Sequence, residues 1–148
     1  LKLEKEKCKD FDFVVLLHAV SPLTTSNDID FAIQKLIDTK ADSVVSVYEV
    51  EGGMHPVKMK GIKDDKLYQY VQGMPEKGFR RQDFDPFYKR SGGIYAVTRE
   101  LVITGDFSLG FFCGDDTRPY IMPKERAIDI DDEIDFEIAR ILMEKFRN

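Results

Sequence analysis

The run Phe13-Val14-Val15-Leu16-Leu17 constrains the chain most, because it leaves a strand no polar face to show to water. Such a strand is expected inside an α/β sheet, covered on both faces as in parallel sheets. Ser21 to Asp28 reads as a loop, and the Thr25…Asp28 spacing resembles a capping box. Ile29, Ala32, Ile33, Leu36 and Ile37 then fall on one helical face. A second strand is expected over Ala41–Val50, with Ser43-Val44-Val45-Ser46-Val47 at its centre. Strand, helix, strand is a βαβ unit, so the fold class expected is α/β.

The middle of the chain changes character. Glu51-Gly52-Gly53 is a turn, and Val57–Ile62 with Leu67–Val71 predict a hairpin around Lys63-Asp64-Asp65-Lys66. Gly73 to Lys89 is rich in Pro, Gly and charge, the composition of a long functional loop or an arm. Gly92 to Val97 returns as a strand, with a short helix from Arg99. Phe111-Phe112 and Tyr120-Ile121-Met122 read as short extended pieces. The last segment is a helix with an apolar stripe of Ile134, Ile138, Ile141, Leu142 and Phe146, its start capped by Asp131 or Asp132. The expected organisation is one domain over 1–148, with 50–90 as an insertion.

Charge and composition narrow the function. A net charge of −5 excludes the basic face that non-specific nucleic-acid binding needs. Anionic small substrates stay compatible if a divalent cation and a few placed Arg or Lys side chains handle their charge. No apolar run approaches the roughly 20 residues of a bilayer span, and no signal-peptide pattern opens the chain. Cys8 and Cys113 have neither metal-site spacing nor a disulfide-framework count, which fits a cytoplasmic setting.

The sharpest chemical feature is Ile128-Asp129-Ile130-Asp131-Asp132-Glu133-Ile134-Asp135. Alternation places Asp129 and Asp131 on one face of an extended segment, where two carboxylates can share a hard cation. Acids before a helix also complement its positive end, and by spacing alone that is the simpler reading. Asp132, Glu133 and Asp135 fit it, whereas Asp129 lies too early to cap anything. Arg81, in the pair Arg80-Arg81, is either solvated charge or a fork for a carboxylate or phosphate. Lys58, after His55-Pro56-Val57, can serve the same anion. His18 ends the first strand, where α/β sheets bind ligands, and reads equally as a buried structural histidine. Phe111 and Phe112 read as core or as a ligand wall. Walker loop, dinucleotide glycine pattern, nucleophile elbow and zinc spacing are all missing.

In order and at matching separations, these pieces resemble the acylneuraminate cytidylyltransferases, the CMP-sialic-acid synthetase type. FVVLLHAVSPLTTSNDID, ADSVVSV, HPVK, RRQ, SGGIY, the paired Phe and AIDIDDEIDFEIA carry the resemblance, which runs from Leu1 to Asn148. It implies a partial doubly wound, Rossmann-like sheet of the nucleotide-diphospho-sugar-transferase type, with a central hairpin or arm for dimerisation. It also implies transfer of CMP from CTP to a sialic-acid-like nonulosonic acid with release of pyrophosphate. Asp129 and Asp131 would be catalytic and hold Mg²⁺, while His18, Lys58, Arg81, Tyr95, Phe111 and Phe112 would face the sugar. A homodimer is the implied assembly, with no nucleic-acid or membrane partner.

The departures from the family pattern are specific. His18 stands for the usual Gln, Ala19 and Val20 for Pro and Thr, Thr24 for a frequent Arg, Ser91 for Asn, and Arg140 for Glu. They point to a related sugar such as legionaminate or pseudaminate. Nothing in the chain corresponds to the family's amino-terminal Gly-, Lys- and Arg-bearing loop around the CTP phosphates. The chain therefore reads as the carboxy-terminal portion of such an enzyme, incomplete for catalysis alone. The alternative is a non-catalytic remnant that binds an acidic sugar or acts as an assembly module.

Overall fold

A computed structural model describes residues 11–73, 85–105 and 114–147. The elements are β1 (Phe13–Leu17), α1 (Ser26–Thr39), β2 (Ser43–Glu49), β3 (Lys60–Lys63), β4 (Lys66–Gln69), β5 (Tyr88–Thr98), α2 (Arg99–Thr104), β6 (Thr117–Ile121) and α3 (Glu133–Arg147). Single 3₁₀ turns fall at Gly52–Met54, Pro56–Lys58 and Lys124–Arg126. The chain divides into two compact units, Leu1–Tyr48 with Arg90–Asn148, and Glu49–Lys89.

The first unit is built on a four-stranded sheet in the order β1-β5-β2-β6. β1 pairs antiparallel with β5, Leu16 opposite Tyr95 and Leu17 opposite Ile94. β2 pairs parallel with β6, Val45 opposite Pro119. The sheet is thus a mixed α/β sheet, compatible with part of a Rossmann-like fold. Pro119 lacks the N–H a central strand would need, and it sits on an edge strand as expected.

The expectation for β1 is met only in part. It is a strand, but it lies at one edge of the sheet, with Leu16 38% and Leu17 47% exposed. An apolar run marks a strand that can be covered on both faces; it does not say which strands flank it. Here β5, later in sequence, inserts between β1 and β2.

Helix α1 forms as its pattern predicts. The Thr25 hydroxyl accepts from the Asp28 N–H while the Asp28 carboxylate accepts from the Thr25 N–H, a complete capping box. Its inner face delivers Ala32 and Leu36 to a core shared with Ala41, Val44, Ile94 and Ala96, with Phe13, Val15, Ile29 and Tyr120 packed around it. Burying Leu36 contributes about 2 kcal/mol. The chain leaves α1 through Lys40 in the left-handed region, φ 55° and ψ 29°.

Two buried serines join β2 to β5. The Ser46 hydroxyl accepts from the Ile94 N–H at 2.8 Å and donates to the Ile94 carbonyl at 3.2 Å, and Ser91 donates to Ser46 at 2.6 Å. Side-chain bonds thus serve backbone groups just past Gly92, whose φ of +72° breaks regular strand geometry.

Helix α3 begins as predicted, the Asp132 carboxylate accepting from the Asp135 N–H at 2.9 Å. Of its stripe, Ile134, Ile138, Ile141 and Phe146 are exposed, while Ala139 is buried. The helical period was readable from the residues; the side that packs was not.

In the second unit, β3 and β4 form an antiparallel hairpin with Ile62 opposite Leu67. Its turn residues Asp64 and Asp65 both take positive φ, 51° and 60°, as a two-residue hairpin turn of the primed type requires. Gly61 faces Tyr68, whose ring occupies the space a Cβ would need.

Candidate functional site

His18, Ser21, Tyr95, Gly92 and Asp129 gather at one end of the first unit's sheet. β1 delivers His18 just past its carboxyl end, where α/β sheets present ligand sites. The His18 ring lies 5.3 Å from the Tyr95 ring, tilted by 38°. His18 is exposed and Tyr95 buried, so the pair forms a wall with a polar, accessible lip. The Ser21 N–H donates to the His18 carbonyl at 3.1 Å and the Thr24 N–H to the Ser21 carbonyl at 3.3 Å, which folds the Ser-Pro-Leu loop back on the strand.

That loop holds the acidic segment. The Ile130 N–H donates to the Val20 carbonyl at 2.9 Å, and the buried Ser21 hydroxyl donates to Oδ1 of Asp129. The Asp129 carboxylate lies over Gly92, where a Cβ would overlap it. Asp131 is exposed, and its N–H donates to the Asp135 carboxylate at 3.1 Å. The acids thus divide: Asp132 and Asp135 serve the helix start, while the Asp129 carboxylate is held elsewhere and that of Asp131 caps nothing. The segment between Arg126 and Glu133 is irregular, not the extended strand end that alternation suggested.

A second cluster was missed beyond its capping role. Asp28 is fully buried; its Oδ1 accepts from the Tyr120 hydroxyl at 2.7 Å and meets the Arg126 guanidinium at 2.8 Å, and its Oδ2 accepts from the Thr25 hydroxyl at 2.6 Å. Burial pushes the Asp28 carboxyl up, but the bonds from Thr25 and Tyr120 and the charge of Arg126 outweigh it and hold the group below the usual carboxylate range. Burial, the bond to Asp28 and its charge push the Tyr120 hydroxyl up to about 12. Only the Thr25…Asp28 spacing signalled this network in the sequence.

Lys58 is exposed at the end of a 3₁₀ turn in the second unit. There His55 is buried, with Nδ1 accepting from the Val57 N–H at 3.2 Å and its ring edge-on to Phe87 at 4.9 Å. Arg81, Phe111 and Phe112 lie outside the described residues. A cleft of about 470 Å³, lined by Asp12, Thr98, Arg99 and Glu100, holds none of the residues singled out above.

Among the described residues no group of three His, Cys, Asp or Glu side chains is placed to hold an ion. Mg²⁺ is commonly bound through one or two carboxylates plus substrate phosphates and keeps several waters. The Asp129 carboxylate, packed over Gly92, and the exposed Asp131 side chain are the oxygen donors this segment offers. No described helix is long and apolar enough to cross a membrane.

Fold and site together define an α/β protein with a held carboxylate and polar side chains beyond its strand ends. No family model matches the chain. It is 35% identical over 122 residues, 82% of its length and 28% of the relative's, to N-acylneuraminate cytidylyltransferase of Streptococcus agalactiae serotype III (strain NEM316). It is 25% identical to the post-translational flagellin modification protein B of Campylobacter coli over 94% of its length, and 24% identical to the pseudaminic acid cytidylyltransferase of Campylobacter jejuni over 89%. The chain is a partial match to the acylneuraminate cytidylyltransferases, the family its residues resemble. It spans about a quarter of the length of the streptococcal relative and just over half of the Campylobacter ones.

Proposed function

We propose that this chain is the sugar- and metal-handling part of a cytidylyltransferase that moves CMP from CTP to a sialic-acid-like nonulosonic acid, releasing pyrophosphate. The observation that carries the reading is the Asp129 carboxylate, held by Ser21 at the sheet end that also presents His18 and Tyr95. Asp129 and Asp131 would hold Mg²⁺, which when bound supplies charge neutralisation at phosphate and a more acidic attacking hydroxyl. Tyr95 and His18 form one wall for the sugar, His18 offering a ring nitrogen in place of a side-chain amide. Lys58 and Arg81 are the cations for the sugar carboxylate. Positioning is the protein's main contribution to such a displacement.

His18 in place of Gln favours a sugar other than N-acetylneuraminate, and pseudaminate and legionaminate are the first to try. The chain acts as a homodimer in this reading, through the Glu49–Lys89 unit, whose hairpin exposes Ile62 and Leu67. The test is Mg²⁺-dependent pyrophosphate release from CTP by a protein containing this chain, assayed across nonulosonic acids. Activity with a hexose 1-phosphate, which lacks the sugar carboxylate, instead of a nonulosonic acid would overturn the sugar class. A second reading, a binding remnant without catalysis, is favoured if the acidic sugar binds while no CTP is consumed.

A further inference from the structure

We propose that Ser21 and Gly92 are positioning residues for Asp129, fixing one carboxylate oxygen so that the other faces a cation. The inference rests on the reading of Asp129 as a cation ligand and deepens it. A carboxylate on an irregular surface segment ordinarily samples several rotamers, and ordering it opposes metal binding. Three features remove that freedom here. Ser21, a residue 5% exposed, donates through its hydroxyl to Oδ1. Ser21 is itself locked in a turn, its N–H on the His18 carbonyl and its carbonyl accepting from Thr24. The residue after Asp129 is pinned through the Ile130 N–H to the Val20 carbonyl at 2.9 Å.

Gly92 supplies the floor. A Cβ there would overlap both carboxylate oxygens of Asp129, and a φ of +72° disfavours any side chain independently. Oδ2 accepts no hydrogen bond from a described residue. Helix capping explains none of this, because the cap of α3 is Asp132. A loop tie alone would need only the Ile130 bond. A serine clamped onto a carboxylate above a glycine instead matches how outer partners orient metal-ligating carboxylates.

The experiment is a Mn²⁺ titration of the full chain by electron paramagnetic resonance, comparing wild type with Ser21→Ala, Ser21→Thr and Asp129→Asn, and with melting curves alongside. Asp129→Asn removes the strongest site. Ser21→Ala weakens Mn²⁺ affinity about 10-fold at temperatures well below its melting midpoint, and Ser21→Thr, which keeps the hydroxyl, restores most of the loss. If Ser21→Ala binds as tightly as wild type while Asp129→Asn does not, the positioning role is overturned and the cation reading stands. The same holds if Thr weakens binding as much as Ala. If wild type binds no Mn²⁺, or Asp129→Asn binds equally well, the cation reading fails and the positioning role with it.

Discussion

The Tyr120 hydroxyl donates to Oδ1 of Asp28 at 2.7 Å, joining strand β6 to the first turn of α1 through a fully buried carboxylate. Arg126 reaches the same oxygen at 2.8 Å, three residues before Asp129. This pair therefore anchors the segment that leads into the candidate site. Asp28→Asn keeps the shape but removes the charge, leaving Arg126 without its buried partner. Breaking a fully buried pair costs about 3–5 kcal/mol, and with the Arg126 side chain 24% exposed to water the expected loss is about 2–3 kcal/mol. Urea denaturation measures it.

The same pair sets two pH limbs. Asp28 has a lowered folded-state pKa, so its stabilisation is fully present above the unfolded carboxylate value near 3.9 and is lost as pH falls through the lower folded value. Tyr120 is raised to about 12, so its contribution is complete below the unfolded value near 10 and declines as pH rises between the two. Tyr120→Phe should flatten the alkaline limb and weaken the acid one. Stability curves against pH for wild type and variant check both limbs.

How much of this was legible beforehand follows from the range of each signal. Local periodicity and spacing marked β1, α1 with its Thr25–Asp28 box, β2, the hairpin turn at Asp64-Asp65 and α3, because neighbours in sequence decide those elements. The insertion of β5 between β1 and β2 depends on pairing across some 80 residues and leaves no local trace. The site divided the same way. Asp129 stood out as an acid too early to cap, but its serine clamp and glycine floor come from Ser21 and Gly92, distant in sequence. Tyr120 looked like an ordinary strand residue for the same reason.

Lys40 offers a stabilising change. It closes α1 with φ 55°, its N–H on the Leu36 carbonyl at 2.9 Å, a position glycine fills without steric cost. Lys40→Gly relieves a left-handed strain of about 1 kcal/mol and adds unfolded-state entropy in the other direction, for a net gain of about 0.5 kcal/mol. A raised melting temperature with unchanged circular dichroism is the expected result.

The proposed homodimer can be tested on the hairpin. Ile62 is 75% and Leu67 72% exposed, and they face each other across β3 and β4. Isolated two-stranded hairpins are marginal in water, so a covered hairpin face would gain from a partner. Ile62→Lys with Leu67→Glu should convert a dimer to monomer in sedimentation velocity while leaving the melting of the first unit unchanged. A wild-type chain that sediments as a monomer at high concentration removes the dimer proposal.

Asp131 separates a metal role from a capping role most cleanly. Its N–H bonds to the Asp135 carboxylate, a contact that substitution of the side chain leaves in place, while Asp132 keeps the cap of α3. Asp131→Ala should therefore leave stability within about 0.5 kcal/mol, as for an exposed surface change. In a protein that contains this chain and turns over CTP, the same substitution should abolish turnover at ordinary Mg²⁺. An Asp132→Ala control should do the opposite, lowering stability by about 1 kcal/mol through the lost cap and sparing turnover. Turnover that survives Asp131→Ala little changed would remove Asp131 from the metal site and leave Asp129 as the carboxylate to pursue.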